Sequence, residues 1–340
     1  MEKGVGTEKI IIALIAVIVV LGVLVFSTGS KPVLKVYHAG SLTVPLEEIE
    51  IQFESSHDVD VQLEPHGSVE AISQITELHK AADILASADY SLIPKIMFPE
   101  YANWYIQFAR NEMVLAYTAE SDYANEINDD NWYEILSRPG VRFGFSSPNL
   151  DPCGYRTAMI FQLAEIYYDN STIFDDLIEA YTDIKAIEEN DNYLIEVPED
   201  LDPNTEKLEI ADKSVSLLVK LEEHSIDYAF EYRSVAVQHS FKLVELPDEI
   251  NLTSIDYENT YKRVREQLAN GKLVTAKPIV YGITIPKNAP NEDLAIEFIM
   301  LLIAEDGQRI LENCGQPPIV PAVASDIDKL PEDIQPLVTQ

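Results

Sequence analysis

The stretch Asn149-Leu150-Asp151-Pro152-Cys153-Gly154-Tyr155-Arg156 stands between a strand-like run, Val141 to Phe145, and a strongly helical one, Thr157 to Tyr168. Aspartate is a good N-cap, and proline suits the first helical position because its missing N–H would have no partner there. The backbone N–H groups of Cys153 and Gly154 then point out of the helix start, and such an end attracts anions. Yet the residue at its mouth is itself a carboxylate. That pairing suits a ligand whose central atom accepts an oxygen donor, as the metal of an oxyanion does. The competing reading is an ordinary capped strand–loop–helix joint.

Two further turns have the same form. A strand pattern at Val33 to His38 breaks at Ala39-Gly40-Ser41-Leu42 before a helix carrying Val44, Leu46, Ile49 and Phe53. Gly40 permits a tight turn, and Ser41 offers a hydroxyl at the helix start. A second strand, Val59 to Leu63, leads through Pro65-His66-Gly67-Ser68 into a helix from Val69 to His79. Each turn alone is a routine cap, but three of them supply three helix starts for one crevice.

Other chemistries lack their signatures. The two cysteines, Cys153 and Cys314, set no disulfide framework, and the six histidines form no zinc pattern. No glycine-rich phosphate loop and no Gly-x-Ser-x-Gly elbow occurs, so the common nucleotide-binding and hydrolase classes are disfavoured. The net charge of -34 repels nucleic acid and anionic lipid. It also opposes a small anion, so an anion site must work through local dipoles. No cofactor is expected.

The elements that position these turns alternate along the chain. Ala82 to Asp89 reads as a buried parallel strand, a helix follows near Leu92 to Met97, and Asn111 to Thr118 is a strand able to cross between domains. The acidic segment Glu188 to Glu206 reads as an exposed loop. Asp227 to Ala236 is a strand with its loop, Ile279 to Ile285 a strand, and Asn291 to Asn313 helical. The pattern is α/β, and parallel sheets of this kind bind ligands at the carboxyl ends of their strands. Ahead of it all, Ile10 to Phe26 is an unbroken apolar run behind Lys3 and Lys9. It reads as a secretory signal or an N-terminal anchor, and either exports the remainder.

Five segments together carry a family resemblance: Val36 to Leu42, Ala82-Asp83-Ile84, Asp151 to Arg156, Asp227 to Ala236, and Gly315 to Ala322. From about Leu34 onward the chain resembles the archaeal-type molybdate/tungstate-binding proteins, the substrate-binding components of ABC importers. The resemblance implies a two-lobe, type II periplasmic-binding-protein-like fold. Each lobe is a mixed sheet flanked by helices, and a hinge lets the two close on one oxyanion. The expected division is 1–30 as signal peptide or anchor, 31–112 with 238–340 as lobe I, and 113–237 as lobe II. The implied partners are molybdate or tungstate and a permease. The implied state is an extracytoplasmic monomer without catalytic activity, attached to the membrane only if residues 1–30 stay.

Carried over residue by residue, the resemblance implies a ligand site of Gly40, Ser41, Ser68, Asp151, Pro152, Cys153 and Tyr232, with Asp151 reaching the metal and Cys153 contributing its backbone N–H. In that family a second carboxylate lies eighteen residues before the tyrosine and raises the metal from four oxygens to six. Here that position is Ser214. Three explanations compete: a neighbouring acid, Asp212 or Glu209, reaches in through a shifted turn; Ser214 donates a hydrogen bond to a tetrahedral anion; or Ser214 coordinates weakly. The hydrogen bond is favoured, because a neutral hydroxyl adds no charge repulsion. Arg156 is expected to pair with an acid, and His38 and His66 to pack behind the turns. The rivals are a binding protein for sulfate, thiosulfate or phosphate, a secreted hydrolase using Ser41 or Ser68 with His38 or His66, and an anchored sensor.

Overall fold

The computed structural model describes residues 31–340. The apolar run Ile10 to Phe26, expected as a leader or anchor, lies outside the described residues. The chain opens as β1 (Val33–Ala39), α1 (Thr43–Ser56), β2 (Asp60–His66), α2 (Ser68–Thr76), β3 (Ile84–Ser87) and β4 (Ile106–Arg110). In β1, Leu34 and Val36 face one apolar cluster with Leu46, Ile49 and Phe53 of α1, while Tyr37 faces another with Ala71, Ile72 and Ile75 of α2. A strand with helices on both faces must be apolar on both, which is why β1 shows little alternation.

The chain then crosses, through Asn111 and Glu112 alone, to a second lobe. This begins with β5 (Met113–Tyr117), α3 (Trp132–Ser137), β6 (Phe143–Ser146), α4 (Pro152–Tyr168), β7 (Lys185–Glu189), β8 (Asn192–Glu196) and β9 (Leu208–Ala211). It continues with α5 (Ser216–Glu222), β10 (Tyr228–Tyr232), α6 (Arg233–Gln238), β11 (Lys242–Glu245), α7 (Glu258–Tyr261), β12 (Val264–Gln267) and β13 (Leu273–Thr275). The first lobe resumes at β14 (Val280–Thr284), followed by α8 (Glu292–Ile303), α9 (Glu305–Asn313), β15 (Pro318–Ala324) and β16 (Val338–Thr339).

The first lobe's sheet has the order β16-β15-β4-β14-β3-β1-β2, with β1 parallel to β2 and β3 and β14 antiparallel to its neighbours. The second lobe holds β11-β5-β10-β6-β9 and a smaller sheet β13-β12-β8-β7. Between those two sheets lies α4, buried on nearly every side from Cys153 to Ala164. Its start is pressed against the end of β6: a Cβ on Gly154 would lie 2.1 Å from the Ser146 carbonyl oxygen. Only glycine fits there, and this fixes the depth of the helix start.

Two expectations are corrected. The chain does not return to the first lobe at 238: β11 pairs antiparallel with β5, and β12 and β13 also belong to the second lobe, so the return falls after Thr275. The signal is weak because Lys242–Glu245 is a short edge strand with a charged residue at each end. The acidic segment read as a loop begins instead within a hairpin, β7–β8. Asn190 and Asp191 both take positive φ, 52° and 62°, as a two-residue type I′ turn requires. Acidic composition masked the pairing; Ile195 is its buried anchor.

At the crossing, the Asn111 N–H donates to the Ile279 carbonyl at 2.9 Å, so the outgoing and returning segments run side by side. Arg233 fans across this hinge to Glu112 (3.2 Å), Glu245 (3.4 Å) and Glu312 (3.2 Å). Burial, with Glu245 nearby, pushes the Glu112 carboxyl up to about 7 against the pull of Arg233. A carboxyl whose folded pKa lies above its unfolded one stabilises the fold fully at low pH and loses that contribution as pH rises through the folded value. The melting temperature of the wild type minus that of Glu112→Gln should therefore fall between about pH 4.5 and 7 and level off above. A flat difference across that window would show that the Glu112 carboxyl is not raised above its unfolded value.

Candidate functional site

The three helix starts foreseen from the turns all form, each at the carboxyl end of a strand, and two of them meet across a cleft of about 800 Å³. Gly67 and Ser68 at the start of α2 line one wall; Pro152, Tyr155 and Arg156 at the start of α4 line the other. A Cβ at Gly40 or Gly67 would meet no protein atom within 4 Å. These glycines are therefore not demanded by close packing; they leave the helix starts bare on the cleft side.

Ser68 is the first residue of α2 rather than its cap, and its hydroxyl accepts from the Ala88 N–H at 3.0 Å, tying the loop after β3 to the helix. Its own O–H remains a donor. Ser41 lies 3.3 Å from the Tyr281 hydroxyl, and its carbonyl accepts from Gln316 at 2.6 Å. Tyr281 in turn accepts from Asn111, which also donates to Ser234 at 2.8 Å. So the first helix start is coupled to the hinge by hydroxyls and amides that sequence reasoning assigned no role. Their partners lie 170 and 240 positions apart, and no local pattern marks them.

Asp151 caps α4 as expected: Oδ1 accepts from the Cys153 N–H at 3.1 Å. Oδ2 accepts from the Ser214 N–H at 2.8 Å. The carboxylate thus bridges the start of α4 and the turn before α5, and each oxygen keeps lone-pair capacity for a further partner. The Cys153 N–H, expected to face the ligand, is committed to this cap. The thiol of Cys153 is buried and points to the Phe230 carbonyl, and burial holds its pKa well above the usual range. Both cysteines are buried and unpaired.

The acids named for a shifted turn are placed elsewhere than beside Ser214. The Glu209 carboxylate is held by Lys220 at 2.8 Å, and Asp212 is exposed. Ser214 itself is buried, 6% exposed. Beside it lies an acid the sequence reading passed over, Glu231, on the strand that ends in Tyr232. Burial pushes its carboxyl up to about 7, while Ser214 and the Tyr232 N–H draw it back. Its place inside an otherwise apolar strand run disguised it.

Arg156, expected to pair with an acid, makes no ion pair among the described residues; it donates to the Tyr232 hydroxyl and lies 5.5 Å from the ring centroids of both Tyr155 and Tyr232. A guanidinium stacked between aromatic rings keeps its charge and presents a fixed fork. Burial raises the Tyr232 hydroxyl well above its ordinary value, so it is neutral and able to donate. Arg156 also acts on the Tyr281 hydroxyl, whose pKa burial raises and whose partners Ser41, Asn111 and Gln316 lower.

The histidines offer no base for a serine nucleophile. His38 is fully buried with Nδ1 at 2.9 Å from the Ala39 carbonyl, and its Nε2 has no partner; burial lowers its pKa. His66 faces Glu70 at 3.3 Å.

The cleft thus carries the cations Arg156 and Lys272 and the acids Glu70 and Asp89 beside its hydroxyl groups. A solute-binding protein of Methanoculleus marisnigri is 50% identical over 309 residues, spanning 90% of this chain and 86% of that one. The molybdate/tungstate-binding protein WtpA of Pyrococcus abyssi is 44% identical over 321 residues, spanning 92% and 91%. Among solved structures, the periplasmic molybdate-binding protein of Azotobacter vinelandii has the same fold, with a TM-score of 0.50 at 16% identity over 85% of this chain and 99% of that one. With residues 34–315 matching the family described as bacterial extracellular solute-binding protein, the chain belongs to that family.

Proposed function

We propose that this protein captures molybdate or tungstate between its lobes outside the cytoplasm and hands it to the permease of an ABC importer, without catalysing a reaction. The observation that carries the reading is Asp151, a carboxylate at the start of α4 oriented by the Cys153 and Ser214 N–H groups. A fully ionised sulfate has no proton to give an acid there, whereas molybdenum and tungsten accept its oxygen. The chain's likeness to molybdate/tungstate-binding relatives at 44% and 41% identity supports the same ligand. Affinity comes from preorganised hydroxyl and N–H donors and from the Arg156 fork, in a cleft that loses water when the lobes close.

The test is titration calorimetry of the full chain in detergent with tungstate, molybdate and sulfate. Heat from the first two at micromolar protein, with sulfate silent, is the expected result. Sulfate binding of comparable strength would overturn the reading in favour of a general oxyanion carrier.

A further inference from the structure

We infer that the β12–β13 hairpin is a strap that fastens the cleft: Lys272 at its tip meets Glu70 of α2 when the lobes close on the anion. The inference rests on the reading of this cleft as an oxyanion site, and it adds the contact that sets how long the anion stays.

The hairpin is built to hold Lys272 in one place. Gln267 of β12 pairs with Leu273 of β13, and the loop between them is closed by the Leu268 N–H, which donates to the Lys272 carbonyl at 2.9 Å. Inside it the Gly271 N–H donates to the Leu268 carbonyl at 2.8 Å, and Gly271 takes a φ of 81°. This is the turn-plus-bulge form of a three-residue connection. Asn270 Oδ1 accepts from the Lys272 N–H at 2.9 Å. The tip is also tied sideways. Asn149 accepts from the Ala269 N–H at 2.9 Å and donates to the Pro198 carbonyl at 2.8 Å. The tip is thereby joined to the loop that carries Asp151, and Lys272 lines the same cleft as Arg156.

The charges of the cleft leave Lys272 one partner. Lys272 is exposed and makes no ion pair among the described residues. Of the two acids on the first lobe's wall, Asp89 is committed: it is held by Lys277 and accepts from the Ser91 hydroxyl at 2.6 Å. Glu70 is open. Its side chain is 62% exposed, with Oε1 at 3.3 Å from the His66 ring and Oε2 in no ion pair among the described residues. Next to it on the wall stands Val69, 56% exposed. A lysine suits such a surface, because its methylene stem covers the valine while its ammonium reaches the carboxylate. Lobe closure brings the two walls together, so the pair belongs to the closed state. In a chain of net charge -34 it also supplies attraction where acidic surfaces approach each other. Lys272 is thus a positioning residue. It acts on the closed state and not on the anion, so it slows the release of tungstate and molybdate alike.

The experiment is calorimetry of the full chain with sodium tungstate and sodium molybdate on Lys272→Gln, Glu70→Gln and the double variant. Each single variant should bind both anions about 2- to 10-fold more weakly with their ratio unchanged, and the double variant no more weakly than either single one. A lysine that bound the anion itself would give the opposite sign at Glu70, because removing a nearby acid would then tighten binding. A gain in Glu70→Gln therefore overturns the inference, and so does a double variant that loses the product of the two single losses. Proximity is tested independently with Glu70→Cys and Lys272→Cys combined in one chain, the native cysteines being buried. Mild oxidation should cross-link the two lobes faster with sodium tungstate than without, read on a non-reducing gel; an equal rate or no cross-link overturns the inference. Wild-type binding that both single variants match overturns the strap alone. A wild type silent to both anions overturns the proposed function and the strap with it.

Discussion

Replacing Asp151 with asparagine should move tungstate and sulfate in opposite directions. Tungstate and molybdate should bind about 100-fold more weakly, because the charged oxygen donor to the metal is lost. Sulfate should bind more tightly. A unit charge about 4 Å from another at an effective dielectric near 20 costs roughly 4 kcal/mol, and the substitution removes that repulsion. The variant also meets a structural penalty. Asp151 accepts N–H groups on both oxygens, from Cys153 and Ser214, so the asparagine amide must turn an N–H toward another N–H. A loss of about 1–3 kcal/mol in stability is expected from that mismatch. It acts on every anion alike and is measured separately by thermal melting. Equal weakening of the tungstate and sulfate affinities would end the case for coordination by this carboxylate.

Arg156→Gln should instead weaken all tetrahedral oxyanions together. The guanidinium lines the cleft, holds the Tyr232 hydroxyl, and acts on Tyr281 across from it. Charge-assisted hydrogen bonds contribute about 1.5–3 kcal/mol, so affinity for tungstate, molybdate and sulfate should each fall about 10- to 100-fold with little change in their ratios. Calorimetry on the three anions reads both quantities. A variant that loses selectivity without losing affinity would assign Arg156 a discriminating role instead. The pair of substitutions thus separates recognition of the metal from recognition of the anion's charge.

Much of this site was legible from local chemistry. The strand–turn–helix joints at Gly40, Gly67 and Asp151 announce themselves through small residues, an N-cap and a proline at the first helical position, and those signals act within four residues. The cap from Asp151 to Cys153 follows directly. What stayed hidden depends on contacts made across the fold. Arg156 meets Tyr232 over 76 positions, and Tyr281 meets Ser41 over 240. Glu231 was concealed differently. Its strand reads as apolar, and only the alternation of faces, with α4 on one side and α5 on the other, shows that one carboxyl is turned into the core. The late return of the chain to the first lobe was lost for a related reason: short edge strands such as Lys242–Glu245 carry half-polar patterns indistinguishable from loops.

The crossing at Asn111 and Ile279 brings the outgoing and returning segments to one point, tied by the Asn111 N–H to the Ile279 carbonyl and spanned by Arg233. Through Tyr281 and Asn111, Ser41 is two side chains from that pivot, so an ion held there works on a short lever arm. A change in the position of Ser41 is therefore felt first at the joint between the lobes.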